Sequence, residues 1–312
     1  MVKGNSTTIT EFILLGFSPS LAMEVFLFVL FLAIYTITLV GNIAIIVLTS
    51  LDPHLQTPMY FFLCNLALLN ICCTSVVVPK MLLNFLARRK SISPALCGAQ
   101  MYITLFLGAA ECIFLAVMAF DRYVAICLPL RYSTLMNGRV CVGMAVGSWL
   151  STFLGSVVPL SALQLPLCGS VIDHYFCEVP AMLQLVCVDT SVSESAMYLG
   201  GIATEIIPFI LILLSYIRIL VTILRIASAD GRRKAFSTCS AHLTVVTIFY
   251  TTAMLMYMRS KVQRTPQQDK VISVFYTIIN PMINPIIYSL RNKEVKRALM
   301  RILGSSKTAL GE

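Results

Sequence analysis

Charged side chains lie within long apolar stretches of this chain, where a charge is costly unless it has a partner or a task. Asp121, Arg122 and Tyr123 are adjacent in MAFDRYVAIC, residues 118–127, at the end of an apolar run. Arg122 cannot lose its proton and needs a partner, which Asp121 can supply. The pair suits a switch whose ion pair can be exchanged, and the alternative is a plain helix-end anchor. Glu111 and Glu205 lie deeper in apolar segments.

The composition indicates an integral membrane protein. Of 312 residues, 58% are hydrophobic and only 12% are charged, against about 25% charged in soluble proteins. The formal charge is +9, but the basic residues form short clusters between apolar runs, as the positive-inside rule expects of a membrane protein. Nucleic acid is therefore not an expected partner. The chain has no dinucleotide-binding glycine pattern, no phosphate loop and no zinc-type Cys/His spacing, and we expect no enzyme activity.

Apolar runs of about 20 residues or more predict seven membrane spans. Segments after the odd-numbered spans are richer in Arg and Lys, which predicts an extracellular N-terminus and places Asp121 and Arg122 in the cytoplasm. We expect an all-α membrane protein, a seven-transmembrane helix bundle with a short amphipathic C-terminal helix over 292–303 on the inner leaflet. The predicted spans are 24–49, 58–83, 97–128, 140–161, 195–226, 235–259 and 270–290, and the predicted regions are an N-terminus 1–23, a transmembrane domain 24–290 and a cytoplasmic tail 291–312.

Two features of the predicted outer side agree with this orientation. Asn5 begins an Asn-Ser-Thr glycosylation sequon before the first span, although such a triplet is also common by chance. Four of the 11 cysteines fall on the outer side, namely Cys97, Cys168, Cys177 and Cys187. Four thiols in an oxidising compartment can form two disulfides in three ways, so the spacing leaves the pairing open.

Six short motifs occur in order along nearly the whole chain. They are Gly41-Asn42, Pro58-Met59-Tyr60, MAFDRYVAIC at 118–127, Ser215-Tyr216, KAFSTC at 234–239 with His242, and PMINPIIY at 281–288. Together they resemble the odorant receptors of the rhodopsin-like G-protein-coupled receptor family, and the motif sequences are most similar to the class II group, which is associated with airborne ligands.

The resemblance implies an activation switch at the cytoplasmic side. Arg122 would move from Asp121 toward Tyr216 and Tyr288, opening a groove for the α subunit of a heterotrimeric G protein. Many relatives hold this arginine with a second acid in span six, but here the sequence reads Arg232-Arg233-Lys234. Pro208 and Pro285 remove backbone donors and allow bends. The implied switch residues are Asp121, Arg122, Tyr123, Tyr216, His242, Asn284, Pro285 and Tyr288.

The resemblance also implies a pocket for a small volatile ligand in the outer half of the bundle. Its residues are mostly small or apolar with a few hydroxyls, as such a pocket requires. Thr104 stands where amine receptors carry an acid, and Glu205 either faces the ligand or bonds a neighbouring helix. The implied residues are Thr104, Leu105, Gly108, Ala109, Cys112, Met197, Gly201, Thr204, Glu205, Tyr250, Ala253, Met254, Tyr257, Val274 and Thr277.

Three further expectations come from the same resemblance. The disulfides would be Cys97 to Cys177 and Cys168 to Cys187, which would hold Asp173, His174 and Glu178 in a lid over the pocket. Glu111 and Asn70 would form a sodium site, weakened because Asn70 replaces an acid; a neutral, hydrogen-bonded Glu111 without an ion is the alternative. No cofactor other than this sodium ion is expected.

The expected function is that of an odorant receptor in the plasma membrane, at the cilia of olfactory neurons. It would activate the olfactory stimulatory-type G protein and raise cyclic AMP. A rhodopsin-like receptor for a non-volatile ligand in another tissue remains an alternative, because these motifs indicate coupling to a G protein and do not identify the ligand. A transporter is disfavoured because no repeated halves are visible. A retinal-binding photoreceptor would need a lysine in span seven, and 271–290 contains none.

Overall fold

A computed structural model describes residues 9–17, 20–157, 165–257, 265–291 and 294–301. Within these ranges seven long helices follow one another, and an eighth, shorter helix, α8, spans 294–301. The sequon at Asn5, residues 158–161 and 258–259 of two predicted spans, and residues 292–293 and 302–303 of the predicted tail helix lie outside the described residues. The long helices are α1 Leu21–Leu51, α2 Pro58–Leu86, α3 Pro94–Cys127, α4 Gly138–Gly155, α5 Ser191–Leu224, α6 Ala229–Tyr257 and α7 from Pro266 to Arg291.

The described helices confirm the prediction of a multi-pass membrane bundle. Six of them are long and apolar enough to cross a membrane. The other is α4, whose described part has 18 residues and carries Arg139 in its first turn. The helix ends follow local signals. Pro58 and Pro94 occupy the first helical turn, where a missing N–H costs nothing. Ser93 caps α3 by accepting a hydrogen bond from the Leu96 N–H.

Helix α3 is the central element. It packs against α2, α4, α5 and α6, and its buried residues form the main apolar core with those helices. By contrast, α1 presents most of its apolar side chains to the outside, as a lipid-facing helix does. Polar bonds supplement the packing, because apolar burial alone drives helix association weakly in lipid. Trp149 Nε1 of α4 donates to Asn65 Oδ1 of α2 over 3.0 Å.

A small three-stranded sheet covers the outer end of the bundle and was not anticipated from the sequence. Strand β1, Phe12–Leu14, lies between β2, Ser91–Ile92, and β3, Val171–Ile172. It pairs antiparallel with β2 and parallel with β3. Phe12 and Leu14 are buried, so the N-terminal segment joins the loop after α2 and the loop after α4 into one cap.

Two of the long helices contain a π-helical turn before a proline. In α5 the turn is Ile202–Ile206 and precedes Pro208. In α7 it is Phe275–Ile279 and precedes Pro281. Each proline lacks the N–H that would bond the carbonyl four residues earlier, so the helix locally adopts a wider turn. Both turns lie in the half of the bundle next to the cap.

Candidate functional site

The C-terminal end of α3 carries a shared carboxylate. Asp121 is fully buried; its Oδ2 lies 3.5 Å from Arg122 Nε, and its Oδ1 accepts a hydrogen bond from the Tyr132 hydroxyl at 2.8 Å. Tyr132 belongs to the loop after α3, and burial together with the Asp121 charge raises its pKa, so it stays a donor. The Arg122 contact is too long for a good hydrogen bond. The predicted ion pair therefore exists in a loose, exchangeable form.

His242 connects α6 to α3 and α5, and it contacts α3 at Leu115, about two helical turns from this pair. Its Nε2 lies 3.1 Å from the Leu115 carbonyl oxygen, and its Nδ1 lies 2.7 Å from the Tyr216 hydroxyl. A carbonyl can only accept, so Nε2 carries the proton and Nδ1 of the neutral ring accepts from Tyr216. Tyr288 is buried, and its hydroxyl has no hydrogen-bond partner among the described residues. Of the two tyrosines expected to receive Arg122, one is thus occupied by His242.

A chain of buried amides connects four helices in the middle of the bundle. Asn70 Nδ2 donates to Asn42 Oδ1 at 3.1 Å, and Asn284 Nδ2 lies 3.3 Å from both Asn70 Oδ1 and Glu111 Oε1. Asn280 Nδ2 donates to the same Glu111 oxygen at 2.9 Å. The structure thus brings together the predicted pair Asn70 and Glu111, through amides of α7 of which only Asn284 was singled out from the sequence.

Pro285 explains why α1 takes part in this network. Its missing N–H leaves the Pro281 carbonyl without its helical partner, and Asn42 Nδ2 of α1 donates to that carbonyl at 3.1 Å. Gly41 permits the approach, because a Cβ there would lie 3.0 Å from Pro285 Cγ. The Gly41-Asn42 motif and the Asn284-Pro285 motif therefore form one contact.

The predicted ligand residues occupy three neighbouring environments in the outer half. Cys112, Tyr250, Ala253 and Met254 belong to the main core, where the Tyr250 hydroxyl donates to the Cys112 carbonyl at 3.1 Å. Leu105 and Met197 pack against the cluster under the cap, and Val274 packs with an aromatic cluster nearer α1. The half-buried members without an assigned cluster are Thr104, Gly108, Ala109, Gly201 and Thr204.

Several of these side chains are engaged with the protein itself. Thr104 donates to the Gln100 carbonyl at 2.8 Å, and the Thr277 hydroxyl is bonded to the Tyr175 hydroxyl at 3.0 Å. Tyr257 donates to Glu178 at 3.4 Å. Gly108 is different, because a Cβ there would have no atom within 4 Å. Glu205 is buried, and its Oε2 has no partner among the described residues.

The loop between α4 and α5 is fixed over the bundle by covalent and polar contacts. The disulfides join Cys97 to Cys177 and Cys168 to Cys187, the pairs that the resemblance implies. Gln100 Oε1 accepts from the Cys177 N–H at 2.8 Å. The loop's Asp173 forms an ion pair with Lys270 of α7 at 2.6 Å. The loop is thereby tied to both α3 and α7.

Two further loop residues are buried against α7. Glu178 accepts hydrogen bonds from Tyr276 and, at 3.2 Å, from Ser273. His174 Nε2 lies 3.4 Å from Glu178, but burial and the nearby Lys270 charge lower the pKa of His174 from 6.5 to about 3. This contact is therefore a polar contact of a neutral imidazole. Lys270, Ser273 and Tyr276 were missed from the sequence, where nothing distinguishes them from other residues of span seven.

The fold and these contacts define a class, a seven-helix membrane bundle with a covalently fixed lid over one end. Comparison with known proteins defines the family. The family model described as olfactory receptor matches residues 31–306. Human olfactory receptor 10A7 is 53% identical over 310 residues, covering 97% of this chain and 96% of that protein. Human olfactory receptor 2K2 is 50% identical over 305 residues, covering 97% and 96%. Dog olfactory receptor-like protein OLF3 is 48% identical over 306 residues, covering 97% and 96%.

The chain belongs to the olfactory receptor family of G-protein-coupled receptors. It is a multi-pass membrane protein and a receptor rather than an enzyme. Membership implies a small odorant as ligand and coupling to a G protein.

Proposed function

We propose that this receptor binds a small volatile in the outer half of its bundle and activates the olfactory stimulatory-type G protein, raising cyclic AMP. The single observation that carries the proposal is the His242 bridge to Tyr216 and Leu115 beside Arg122. This bridge holds α6 against α3 and α5. Breaking it frees the cytoplasmic end of α6 to move outward and uncover Arg122.

Once it is uncovered, Arg122 can exchange Asp121 for other hydrogen-bond partners. Its contact with Asp121 is loose at 3.5 Å, and the buried Tyr288 hydroxyl lacks a partner among the described residues. Arg122 exchanges Asp121 for Tyr288 and for Tyr216 once His242 releases the latter. A ligand that favours this open arrangement by a few kcal/mol is sufficient to change the population. Tyr123, also part of the switch, packs beside Tyr216 in the cytoplasmic half.

The orientation follows from charge and covalent structure. Disulfides form in oxidising compartments, and both of them lie at the end of the bundle that carries the cap. The N-terminus is accordingly extracellular, and α8 lies on the cytoplasmic leaflet. In α8, Val295 and Ala298 are buried while Arg301 reaches Asp52 at 2.5 Å. The working location is the plasma membrane of the cilia of olfactory neurons.

A sodium ion is the proposed allosteric ligand of the amide network. Oxygen atoms are the ligands that hard cations prefer, and the Oδ1 atoms of Asn280 and Asn284 are buried without a partner among the described residues. With Asn70 and the Glu111 carboxylate they fit such an ion, which would neutralise the buried charge. Sodium should then raise the unfolding temperature of the native receptor at constant ionic strength, and should not do so for Glu111→Gln. Equal response of both proteins would contradict the site.

The main experiment expresses the chain with the stimulatory-type G protein and a cyclic AMP reporter, and applies volatiles sorted by functional group. A concentration-dependent response is expected from one chemical group. Arg122→Ala should abolish it at unchanged surface expression, whereas Arg139→Ala, an exposed arginine at the start of α4, should leave it intact. Loss in both variants, or in neither, would reject the role assigned to Arg122.

A further inference from the structure

Glu205 is an acid buried in the outer half of the bundle, and one of its carboxylate oxygens has no hydrogen-bond partner among the described residues. The residue is only 9% exposed, and its Oε2 accepts no hydrogen bond within the part of the chain that the structure describes. Burying a carboxyl group without a partner is unfavourable, and the cost is greatest for the charged form. A partner that is not part of the protein would remove this cost.

The backbone around Glu205 places it toward the interior. Residues Ile202–Ile206 form a π-helical turn in which the Ile207 N–H bonds the Ile202 carbonyl. Glu205 is the buried residue of this turn, and the turn packs against α3. Single π-helical turns within α-helices are frequent at functional sites. The turn therefore directs the carboxyl into the bundle instead of toward lipid.

The donors near Glu205 are already used. Cys112 and Tyr250 lie close enough to interact electrostatically with it, but Tyr250 gives its proton to the Cys112 carbonyl. The neighbouring Thr204 hydroxyl donates to the Gly200 carbonyl at 2.9 Å. Tyr257 donates to Glu178. None of these hydroxyls is left to satisfy Oε2.

Glu111 shows the contrast between a structural acid and this one. Two amide groups, from Asn280 and Asn284, converge on its Oε1. The same helix bundle thus gives an oxygen of one buried acid two amide partners and leaves an oxygen of the other without a partner among the described residues. The difference cannot come from burial, because both residues are buried.

We propose that Glu205 binds the ammonium group of a small aliphatic amine, which makes volatile amines the ligand class of this receptor. The inference rests on the proposed function of the outer half as the odorant pocket. An ammonium supplies both the N–H donors and the positive charge that a buried carboxylate lacks, and such charged hydrogen bonds are stronger than neutral ones. An alcohol supplies a donor without the charge, a ketone supplies no donor, and a carboxylic acid adds a like charge.

The test compares one set of carbon skeletons, each offered as an amine, an alcohol, a methyl ketone and a carboxylic acid, in the cyclic AMP assay. The native receptor should respond best to amines. Glu205→Gln keeps the size and the hydrogen-bonding atoms but removes the charge, so it should raise the half-maximal concentration of the amines by at least about thirtyfold. The response to alcohols should change by less than about threefold, because a neutral hydrogen bond survives.

Glu194→Gln is the matched control. Glu194 lies in the first turn of α5 and bonds Thr190 at 2.5 Å, so the variant removes an acid of the same helix without touching the pocket. It should leave the amine response unchanged, which separates a direct bond from general attraction of cations.

Each other result has a defined meaning. Inactive amines with active neutral volatiles would overturn the amine assignment and leave the proposed function standing. If Glu205→Gln, at normal surface expression, lowered the response to all four compound classes equally, Glu205 would be a structural residue, and the amine assignment would again be overturned. A native receptor at the cell surface that responds to none of the compounds would reject the proposed function and the amine assignment together.

Discussion

Asp121 serves two partners at once, and this sharing decides how firmly Arg122 is held. One carboxylate oxygen takes the proton of Tyr132 from the loop after α3, which leaves the other for Arg122. Among the described residues, Asp121 is the one acid within 4 Å of Arg122. In the basic segment after α5, Arg232 Nη1 donates a hydrogen bond to the Ile226 carbonyl at 2.9 Å. The resting position of Arg122 therefore depends on one carboxylate, that of Asp121, which Arg122 shares with Tyr132.

Asp121→Asn should raise ligand-independent signalling. The amide keeps an acceptor for Tyr132 but loses the charge that attracts Arg122 over 3.5 Å, and the attraction between two charges at about this separation contributes about 1–4 kcal/mol. The closed-to-open equilibrium should shift by about ten- to a hundredfold, measured as basal cyclic AMP at equal surface expression. Asp230→Asn, which changes an exposed acid at the start of α6, should have no effect. Unchanged basal output in Asp121→Asn would contradict this account of the restraint.

His174 makes the stability of the lid depend on pH. Its pKa is lowered from 6.5 to about 3 in the folded protein, so below pH 6.5 the unfolded chain binds a proton that the folded chain does not. The stability is fully present above pH 6.5 and falls with decreasing pH toward pH 3, by about 1.4 kcal/mol per pH unit. Thermal unfolding of purified receptor should show this slope.

The neighbours of His174 require a control, because Glu178, Asp173 and Lys270 lie beside it. His174→Asn keeps a polar side chain but removes the titrating ring. The stability of the native protein relative to the variant should therefore decrease by about 1.4 kcal/mol per pH unit as the pH falls from 6.5 toward 3. A difference that does not vary with pH would show that His174 remains able to take up a proton in the folded state.

At the scale of elements, the contact between α1 and α7 shows how two motifs far apart in sequence depend on one another. Pro285 in α7 leaves the Pro281 carbonyl without its helical partner, and Asn42 in α1 donates a hydrogen bond to that carbonyl. Gly41, beside Asn42, allows the two helices to approach each other. Small residues at helix contacts have this role in membranes. The backbone carbonyl that Pro285 leaves unpaired in α7 is thereby bonded by a neighbouring helix.

Gly41→Ala should destabilise the receptor. Alanine is the better helix former by up to about 1 kcal/mol, so a glycine without neighbours gains from the change, but here the added Cβ would lie 3.0 Å from Pro285 Cγ. We expect a net loss of about 1–2 kcal/mol, measured as a lower unfolding temperature. Gly143→Ala is the matched control, since a Cβ there meets nothing within 4 Å, and it should be neutral or stabilising. The two variants behaving alike would disprove the close contact.

At the scale of the whole molecule, the receptor has a covalently closed outer end and a loosely held inner end. The cap combines two disulfides, the three-stranded sheet and the Asp173–Lys270 ion pair. At the inner end, His242 holds α6 to α3 and α5, and Arg122 is held by one carboxylate that Tyr132 shares. This difference fits the proposed opening of the bundle at the inner end while the ligand end keeps its shape.

The proposed orientation predicts glycosylation of the N-terminus. Asn5 lies outside the described residues, in a sequon ahead of β1. A receptor with an extracellular N-terminus should lose apparent mass on treatment with an N-glycan-removing enzyme, and Asn5→Gln should already have the lower mass. An N-terminal epitope should also be accessible on intact cells. An epitope seen only after permeabilisation would reverse the orientation, whatever the state of Asn5.

Most of the bundle could be predicted from the sequence, and the errors have identifiable causes. Predicted spans such as 58–83 and 97–128 agree with α2 and α3 to within a few residues. The sheet was missed because β1 and β2 have three and two residues, too few for a periodic pattern. Lys270 was missed as a lid contact because its partner Asp173 is 97 residues away.

Hydrophobicity is a property of each residue and adds up along the chain, so the sequence by itself determined the membrane class, the spans and the order of the motifs. Partners depend on how helices rotate and cross, which no local pattern encodes. Only the tertiary structure decided that Asn42 bonds a carbonyl 239 residues away and that His242 bonds Tyr216. It also decided that Glu111 has amide partners, while an oxygen of Glu205 has no partner within the described part of the chain. Two acids that look alike in sequence are thereby assigned different tasks.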